Sequence, residues 1–241
     1  IMVSWVAPSS NLASGLDATT YRVHEGTLGG VVLYEGAGES CESGLCTTVS
    51  ALAGGSLYSF AISGVSAAGE GTQTTPFSQS TSPSAPANVT NAGQTTASVT
   101  LAWDAVSVAS GAAEVTGYKI YKRTVYDETV IALAGVPEEV VDYFLDPTQS
   151  DMVVDALVYD GSVNTDASTT LTGLGGGELH TYVVTAMSAA GEGNRSLAVA
   201  VSPCPPAPEY LKRTGTTTTT TISLLWGEPT IASGEAVTGY M

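Results

Sequence analysis

The chain contains an internal repeat at a fixed spacing. Residues 47–71 read TTVSALAGGSLYSFAISGVSAAGEG and align without a gap with residues 169–193, TTLTGLGGGELHTYVVTAMSAAGEG, at an offset of 122. Both segments end in the same hexapeptide, and a Ser/Pro-rich segment follows each. A repeat of this length indicates an array of similar structural units rather than one large domain.

A second pattern occurs three times. Large apolar residues stand at every second position up to a tryptophan, and each tryptophan is followed by Ala-Ser-Gly and then by a tyrosine. Period-two alternation predicts a β-strand with one buried face. The three copies are Ile1-Val3-Trp5 with 13–15 and Tyr21, Val99-Leu101-Trp103 with 109–111 and Tyr118, and Ile222-Leu224-Trp226 with 232–234 and Tyr240.

Together these motifs resemble the fibronectin type III family. That family has a proline-rich entry, a strand ending in Trp, a strand opening on Tyr, and a Leu-x-x-x-x-x-Tyr corner, here Leu52 and Tyr58. The resemblance implies an all-β fold of tandem β-sandwich modules, with the corner hydroxyl bonded to loop backbone. In the second module His180 stands at the corner, and we expect its imidazole to replace the phenol in that bond. The expected structural core residues are Trp5, Trp103, Trp226, Tyr58 and His180.

The resemblance predicts three modules. Residues 1–82 form one that lacks strand A, residues 83–204 form a second, and residues 205–241 are the strand A–B part of a third. We expect neighbouring chain to complete both terminal modules, either other copies of this protein or adjoining modules of the same polypeptide.

The second module is enlarged by an insertion near 124–165. We expect the insertion to add strands at a sheet edge. The apolar run 153–159 predicts a strand, and Asp160-Gly161 predicts a hairpin turn after it.

The charge balance excludes several partners. The chain has 23 acidic and seven basic residues, a net charge of −16, and 43% hydrophobic residues. This composition is that of a folded chain, and its negative charge repels nucleic acid and anionic membranes. No apolar run in this sequence is long enough for membrane insertion.

Cysteines and acceptor sequons point to an extracellular location. Cys41 and Cys46 are either unpaired thiols or a loop-closing disulfide, and we favour the disulfide because secreted sandwiches tolerate such staples. Cys204 is either free or paired with another chain. Asn88-Val-Thr and Asn194-Arg-Ser are N-glycosylation sequons. The threonine run is either a β-branched edge strand or an O-glycosylated segment, and it comprises Thr216, Thr217, Thr218, Thr219, Thr220 and Thr221.

Catalytic motifs are scarce. Only two histidines are present, the glycine-rich loop 173–177 fits no phosphate-binding motif, and the carboxylates of Glu138 and Glu139 are expected to be solvated. We therefore expect neither an enzyme nor a cofactor. Calcium is the one metal worth considering, because it prefers oxygen ligands and the insertion contains four aspartates. Their spacing fits no EF-hand loop. They are Asp142, Asp146, Asp151 and Asp155.

These observations predict a structural or adhesive protein of the cell exterior or cell surface. A glycosylated protomer of a surface filament or fibril is the leading hypothesis, with other copies and attached glycans as partners. The alternatives are spacer modules of a larger secreted enzyme, such as a polysaccharide hydrolase, and a receptor ectodomain.

Overall fold

The computed structural model describes residues 1–8, 18–26, 29–42, 44–126, 142–145, 152–231, 233 and 237–240. This part of the chain is all-β and contains no helix, so no helix in it is suited to cross a membrane. The strands are β1 Met2–Trp5, β2 Thr20–Glu25, β3 Val32–Gly36, β4 Glu39–Cys41, β5 Gly44–Thr48, β6 Leu57–Ser66, β7 Gly69–Glu70, β8 Phe77–Ser80, β9 Thr90–Gln94, β10 Ser98–Ala102, β11 Val115–Tyr126, β12 Asp142–Leu145, β13 Met152–Gly161, β14 Ser168–Thr172, β15 His180–Ser188, β16 Gly191–Glu192, β17 Val199–Val201, β18 Leu211–Thr214 and β19 Ser223–Trp226.

The chain divides into two compact units. The first comprises Ile1–Ser84, Ser107–Thr116 and Met187–Asn194, and the second comprises Ala85–Val106, Gly117–Ala186 and Arg195–Met241. These limits differ from the predicted module boundaries at 82/83 and 204/205 in two ways. Residues 107–116 and 187–194 of the expected second module belong to the first unit, and residues 205–241 belong to the second unit.

The first unit contains two antiparallel sheets. One has the order β1-β5-β4, and the other has the order β3-β2-β6-β7 with β8 also on β6. The side chains of β1 alternate between exposed and buried, as the sequence pattern predicts. Val3, Trp5, Val23 and Phe60 form the buried core, and the rings of Trp5 and Tyr21 lie 5.3 Å apart at 54°. In the described sheet, β1 pairs only with β5, so its other edge is open.

The second unit repeats this arrangement with one further strand. Its smaller sheet is β14-β10-β9, and its larger sheet is β12-β13-β11-β15 with β17 on β15. The short strand β16 pairs with Met187 and Ser188 at the end of β15, within the residues 187–194 of the first unit. Leu101, Ile120 and Val184 are fully buried. The rings of Trp103 and Tyr118 lie 5.2 Å apart at 61°, which reproduces the aromatic pair of the first unit.

The insertion adds an edge strand, and one prediction made for it is wrong. β13 pairs with β11 as β3 pairs with β2, and β12 lies outside β13 at the edge of the sheet. Asp160 and Gly161 do not form the centre of the turn, because they continue β13 opposite Lys119 and Tyr118. The turn follows directly at 162–163, where the Asn164 N–H donates to Gly161 O at 2.8 Å. Long pairing with β11 outweighs the local turn preference of the dipeptide. Residues 127–141 and 146–151 of the insertion lie outside the described part.

The end of the chain has a two-stranded sheet, β18-β19. The rings of Trp226 and Tyr240 lie 5.3 Å apart, like the other two pairs. The prediction that Trp226 is a core residue is nevertheless wrong here, since the side chain is 41% exposed. The ring of Tyr240 is present beside Trp226, but within the described residues no second sheet packs on the face of β18-β19 that carries the tryptophan. The threonine run is not a strand either: it is an exposed connection between β18 and β19, with the Thr218 N–H donating to Thr221 O at 3.0 Å.

Candidate functional site

The corner of the first module contains the hydrogen bond that the family resemblance implies. Tyr58 lies near the start of β6, and its hydroxyl accepts from the Ala53 N–H at 2.9 Å. Its ring stacks on Phe60 with the centroids 6.3 Å apart. This bond ties the loop before β6 to the strand, which is a structural role.

The corner of the second module is built differently. His180 is 3% exposed, and neither of its ring nitrogens has a hydrogen-bond partner in the described residues. The expectation that the imidazole replaces the phenol is therefore wrong, because a ring nitrogen lies closer to the backbone than a phenol oxygen does. Burial lowers the pKa of His180, and nearby Lys122 lowers it further, whereas Glu178 at 3.9 Å raises it.

His180 is accordingly a packing residue. Its ring lies 6.0 Å from that of Tyr182, which is 1% exposed. Burial raises the pKa of Tyr182 to about 12, with a further contribution from Glu178. Both side chains are neutral near pH 7 and almost fully buried, which keeps them out of reach of a substrate.

A polar network lies in the larger sheet of the first unit. His24 is 4% exposed, and its Nε2 lies 3.1 Å from Ser63 Oγ and 2.9 Å from Glu70 Oε1. The Ser63 hydroxyl donates to Glu70, and Arg22 donates to Glu70 at 2.8 Å and to Glu35 at 2.9 Å. The bond from Ser63, followed by that from Arg22, lowers the pKa of Glu70 to about 2.

The residue types of this network are those of a hydrolytic triad, but the geometry is not. A triad needs the acid on one imidazole nitrogen and the nucleophile on the other. Here Ser63 and Glu70 share Nε2, and Ser63 is only 1% exposed. A substrate therefore has no access to the hydroxyl, and the network joins β2, β6 and β7.

A second ionic cluster is centred on Asp155 of β13. The Asp155 side chain is 1% exposed, and Arg123 contacts both of its oxygens, at 2.8 and 2.7 Å. Arg195 Nε lies 2.9 Å from Asp155 Oδ2, and the Arg195 guanidinium lies 4.9 Å from the centre of the Tyr121 ring. One buried carboxylate thus holds two guanidinium groups.

This cluster bears on the calcium hypothesis. The carboxylate of Asp155 is taken up by the two arginines, which leaves it a poor ligand for a cation. Asp142 lies opposite Asp155 in the β12–β13 register, whereas Asp146 and Asp151 lie outside the described residues. Within the described ranges, no three His, Cys, Asp or Glu side chains are grouped to hold a metal.

The cysteines lie in two different settings. Cys41 and Cys46 form a disulfide across the β4–β5 hairpin, with their Cα atoms 6.1 Å apart. Cys204 is a free, half-buried thiol, and its backbone N–H donates to Thr95 O at 2.8 Å.

Both sequon asparagines are exposed. The Asn88 amide donates to Asp104 Oδ2 at 2.7 Å, and its backbone has a φ of 52°. Asn194 follows β16, but the hydroxyl of its sequon serine is buried: Ser196 Oγ accepts from the Val184 N–H at 2.9 Å and donates to Leu197 O at 2.8 Å. In the folded protein the two sequons therefore differ in the access they give to the hydroxyl.

Comparison with known proteins identifies the second module. The family model "Fibronectin type III domain" matches residues 84–202. Residues 84–202 form a fibronectin type III domain. A curated relative, Chitinase A1 of Niallia circulans, is 34% identical over 112 residues, which is 42% of this chain and 16% of that protein. The chain thus spans about a sixth of that relative's length.

Solved fibronectin type III domains are also similar to this chain. The domain of human fibronectin type III domain containing protein 3 is 21% identical, with 53% of this chain and 92% of that chain covered and a TM-score of 0.33. The FN5 domain of Drosophila Lar is 18% identical, with coverages of 52% and 99% and a TM-score of 0.29.

In the fibronectin type III domain, the sequence located Trp103 and His180 in the core but not the cluster around Asp155. Arg123 precedes the aspartate by 32 residues and Arg195 follows it by 40, and only the folded sheet brings the three together. One signal was available, since an aspartate within the apolar run Val153–Tyr159 breaks the pattern. A charged residue at a buried strand position indicates an ion pair.

Proposed function

We propose that this chain is a non-catalytic structural part of an extracellular protein built from fibronectin type III modules. One repeated observation carries the proposal. The pairs Trp5–Tyr21, Trp103–Tyr118 and Trp226–Tyr240 have ring distances of 5.3, 5.2 and 5.3 Å. Three copies of the same aromatic contact in one chain, two of them buried, favour a role in which the number of modules matters.

The arrangement of charge supports a non-catalytic role. His24 and Asp155 belong to the two ionic clusters described above, and both lie buried against partners of their own unit. An acid, base or nucleophile must reach its substrate. The net charge of −16 suits a soluble, well-hydrated surface.

The proposed location outside the cell has two supports. The Cys41–Cys46 disulfide is typical of oxidising compartments. Asn88, Asn194 and the threonine run 216–221 are exposed, as attached sugars require. Peptide mass mapping of native protein should find glycans on at least one of these segments, and three unmodified segments would remove glycosylation from the proposal.

Open surfaces support an assembly role. Among the described strands, β1 pairs on one edge only, and the residues Leu224 and Trp226 are 51% and 41% exposed. We propose that other copies, or adjoining modules of the same polypeptide, cover them, as in a filament or fibril at the cell surface. Cross-linking of native material should join residues 1–6 and 216–241 to neighbouring chain; cross-links confined to the same module would contradict this.

A second candidate is an accessory part of a secreted polysaccharide hydrolase. The specific observation in its favour is the 34% identity to Chitinase A1 over 42% of this chain. The sequence of the full polypeptide separates the two candidates. Many similar modules without a catalytic domain would support the structural protein, and one adjoining glycoside hydrolase domain would support the accessory role.

A further inference from the structure

The Ala-Ser-Gly segments are a repeated motif whose role the fold alone does not explain. Each is preceded by an aliphatic residue, namely Leu12, Val108 or Ile231. Val108 and Ile231 both stand five residues after a tryptophan, at 103 and 226. Leu12 lies outside the described residues, so the structure shows what two of the three do.

In the second unit, Ile231 packs on a glycine. A Cβ built on Gly177 would lie 2.8 Å from Ile231 Cγ2, closer than a real methyl group can approach. Gly177 has a φ of +73°, and its N–H donates to Pro203 O at 3.2 Å. Nearby, the Leu179 N–H donates to Ser233 Oγ at 3.3 Å, which adds a polar contact with the Ala-Ser-Gly segment.

In the first unit, Val108 makes the same contact. A Cβ on Gly55 would lie 3.0 Å from Val108 Cγ1, and Gly55 has a φ of +64°. Its N–H donates to Ser82 O at 2.7 Å, and its carbonyl accepts from the Ala109 N–H at 2.8 Å. Gly55 and Gly177 are equivalent in the 122-residue repeat.

We propose that each Gly-Gly turn, Gly54-Gly55 and Gly176-Gly177, is a docking surface for the aliphatic residue of the next module's aliphatic–Ala–Ser–Gly segment. Glycine is needed because its missing Cβ leaves the space that the aliphatic side chain fills, and because the turn has positive φ. The same glycine also bonds a carbonyl of the proline-rich linker. A linker held in this way couples consecutive modules, which a free linker does not.

The partner of this surface is thus defined by its chemistry. It is an aliphatic side chain, followed by Ala-Ser-Gly, on the module that follows in the chain. The inference rests on the proposed function, because it assumes that consecutive modules of the chain act together. The contact itself is measurable without any assumption about that role.

The test uses amide hydrogen exchange of the whole chain. Ile231→Ala should accelerate exchange of the Leu179 amide by about tenfold, because its acceptor Ser233 is no longer held against the turn. The Tyr182 amide of β15 should stay protected. Ile231→Val should retain the protection of Leu179, since Val108 fills the equivalent position in the first unit.

A matched pair of glycine variants separates the contact from backbone strain. Gly177→Ala and Gly173→Ala place a Cβ at φ of +73° and +75°, but a Cβ on Gly173 meets nothing within 4 Å. Only Gly177→Ala should accelerate the Leu179 amide more than it accelerates Tyr182. Unchanged Leu179 exchange in Ile231→Ala, or equal acceleration of both amides, would overturn the inference. Either result would leave the structural role to be decided by the full-length sequence.

Discussion

Replacing Asp155 by asparagine should strongly destabilise the fibronectin type III domain. The substitution keeps the shape of the side chain but removes its charge, and it leaves Arg123 and Arg195 without their shared carboxylate. Removing one partner of a buried ion pair costs about 3–5 kcal/mol. The two arginine side chains retain 24% and 17% exposure, so water offsets part of the loss, and we expect about 3 kcal/mol.

Urea unfolding measures this loss. With a slope of about 1.5 kcal/mol per molar urea for a domain of this size, Asp155→Asn should lower the midpoint by about 2 M. Amide exchange of β11 and β15, read by mass spectrometry across the titration, reports on this domain separately from the first unit.

Two variants control the Asp155 experiment. Asp166→Asn removes the same charge from an exposed position and should change stability by less than about 0.5 kcal/mol. Replacing Asp155, Arg123 and Arg195 together by leucine or methionine should recover much of the loss, since apolar residues can replace a buried ionic cluster. The reasoning is refuted if Asp155→Asn costs no more than Asp166→Asn.

Three further predictions concern the corner and the polar network. Tyr58→Phe should lower the free energy of unfolding by about 1 kcal/mol and expose the Ala53 amide to exchange. Ser59→Ala, on the outer face of the same strand, should do neither. Intact protection of the Ala53 amide in Tyr58→Phe would exclude the bond. The folded-state pKa of Glu70, about 2, lies below its ordinary 4.5, so its stabilising contribution is complete above pH 4.5 and is lost as the pH falls through 2. Unfolding of Glu70→Gln between pH 5 and about 2 should show a smaller slope than the parent, and equal slopes would refute this. The pKa of buried His180 is lowered, so its contribution to folding stability is complete above pH 6.5 and declines as the pH falls below that value. The variant His180→Phe should lack this decline. Urea midpoints at pH 7 and about 5 measure it, and an equal decline in both proteins would refute the prediction.

The sequence predicted the strands and their core well, because these depend on local pattern. Alternation before Trp5 and Trp103 specifies which face of the strand is buried, and the fold places both residues in the core. The corner hydroxyl of Tyr58 and the added edge strand β12 were also anticipated.

Features that depend on register across the sheet were not predictable in the same way. Asp160-Gly161 has the local signature of a turn, yet pairing with β11 keeps it in β13. The partners of Asp155 come from distant parts of the chain. That His180 makes no hydrogen bond to the residues the structure describes depends on how far an imidazole reaches. Trp226 has the pattern of a core residue, but burial also requires an opposing sheet.

Electron microscopy of the native material tests the central claim most directly. If this chain is part of an extracellular structural array of fibronectin type III modules, the images should show regular filaments whose subunit spacing matches two modules. Dispersed monomers would contradict the account.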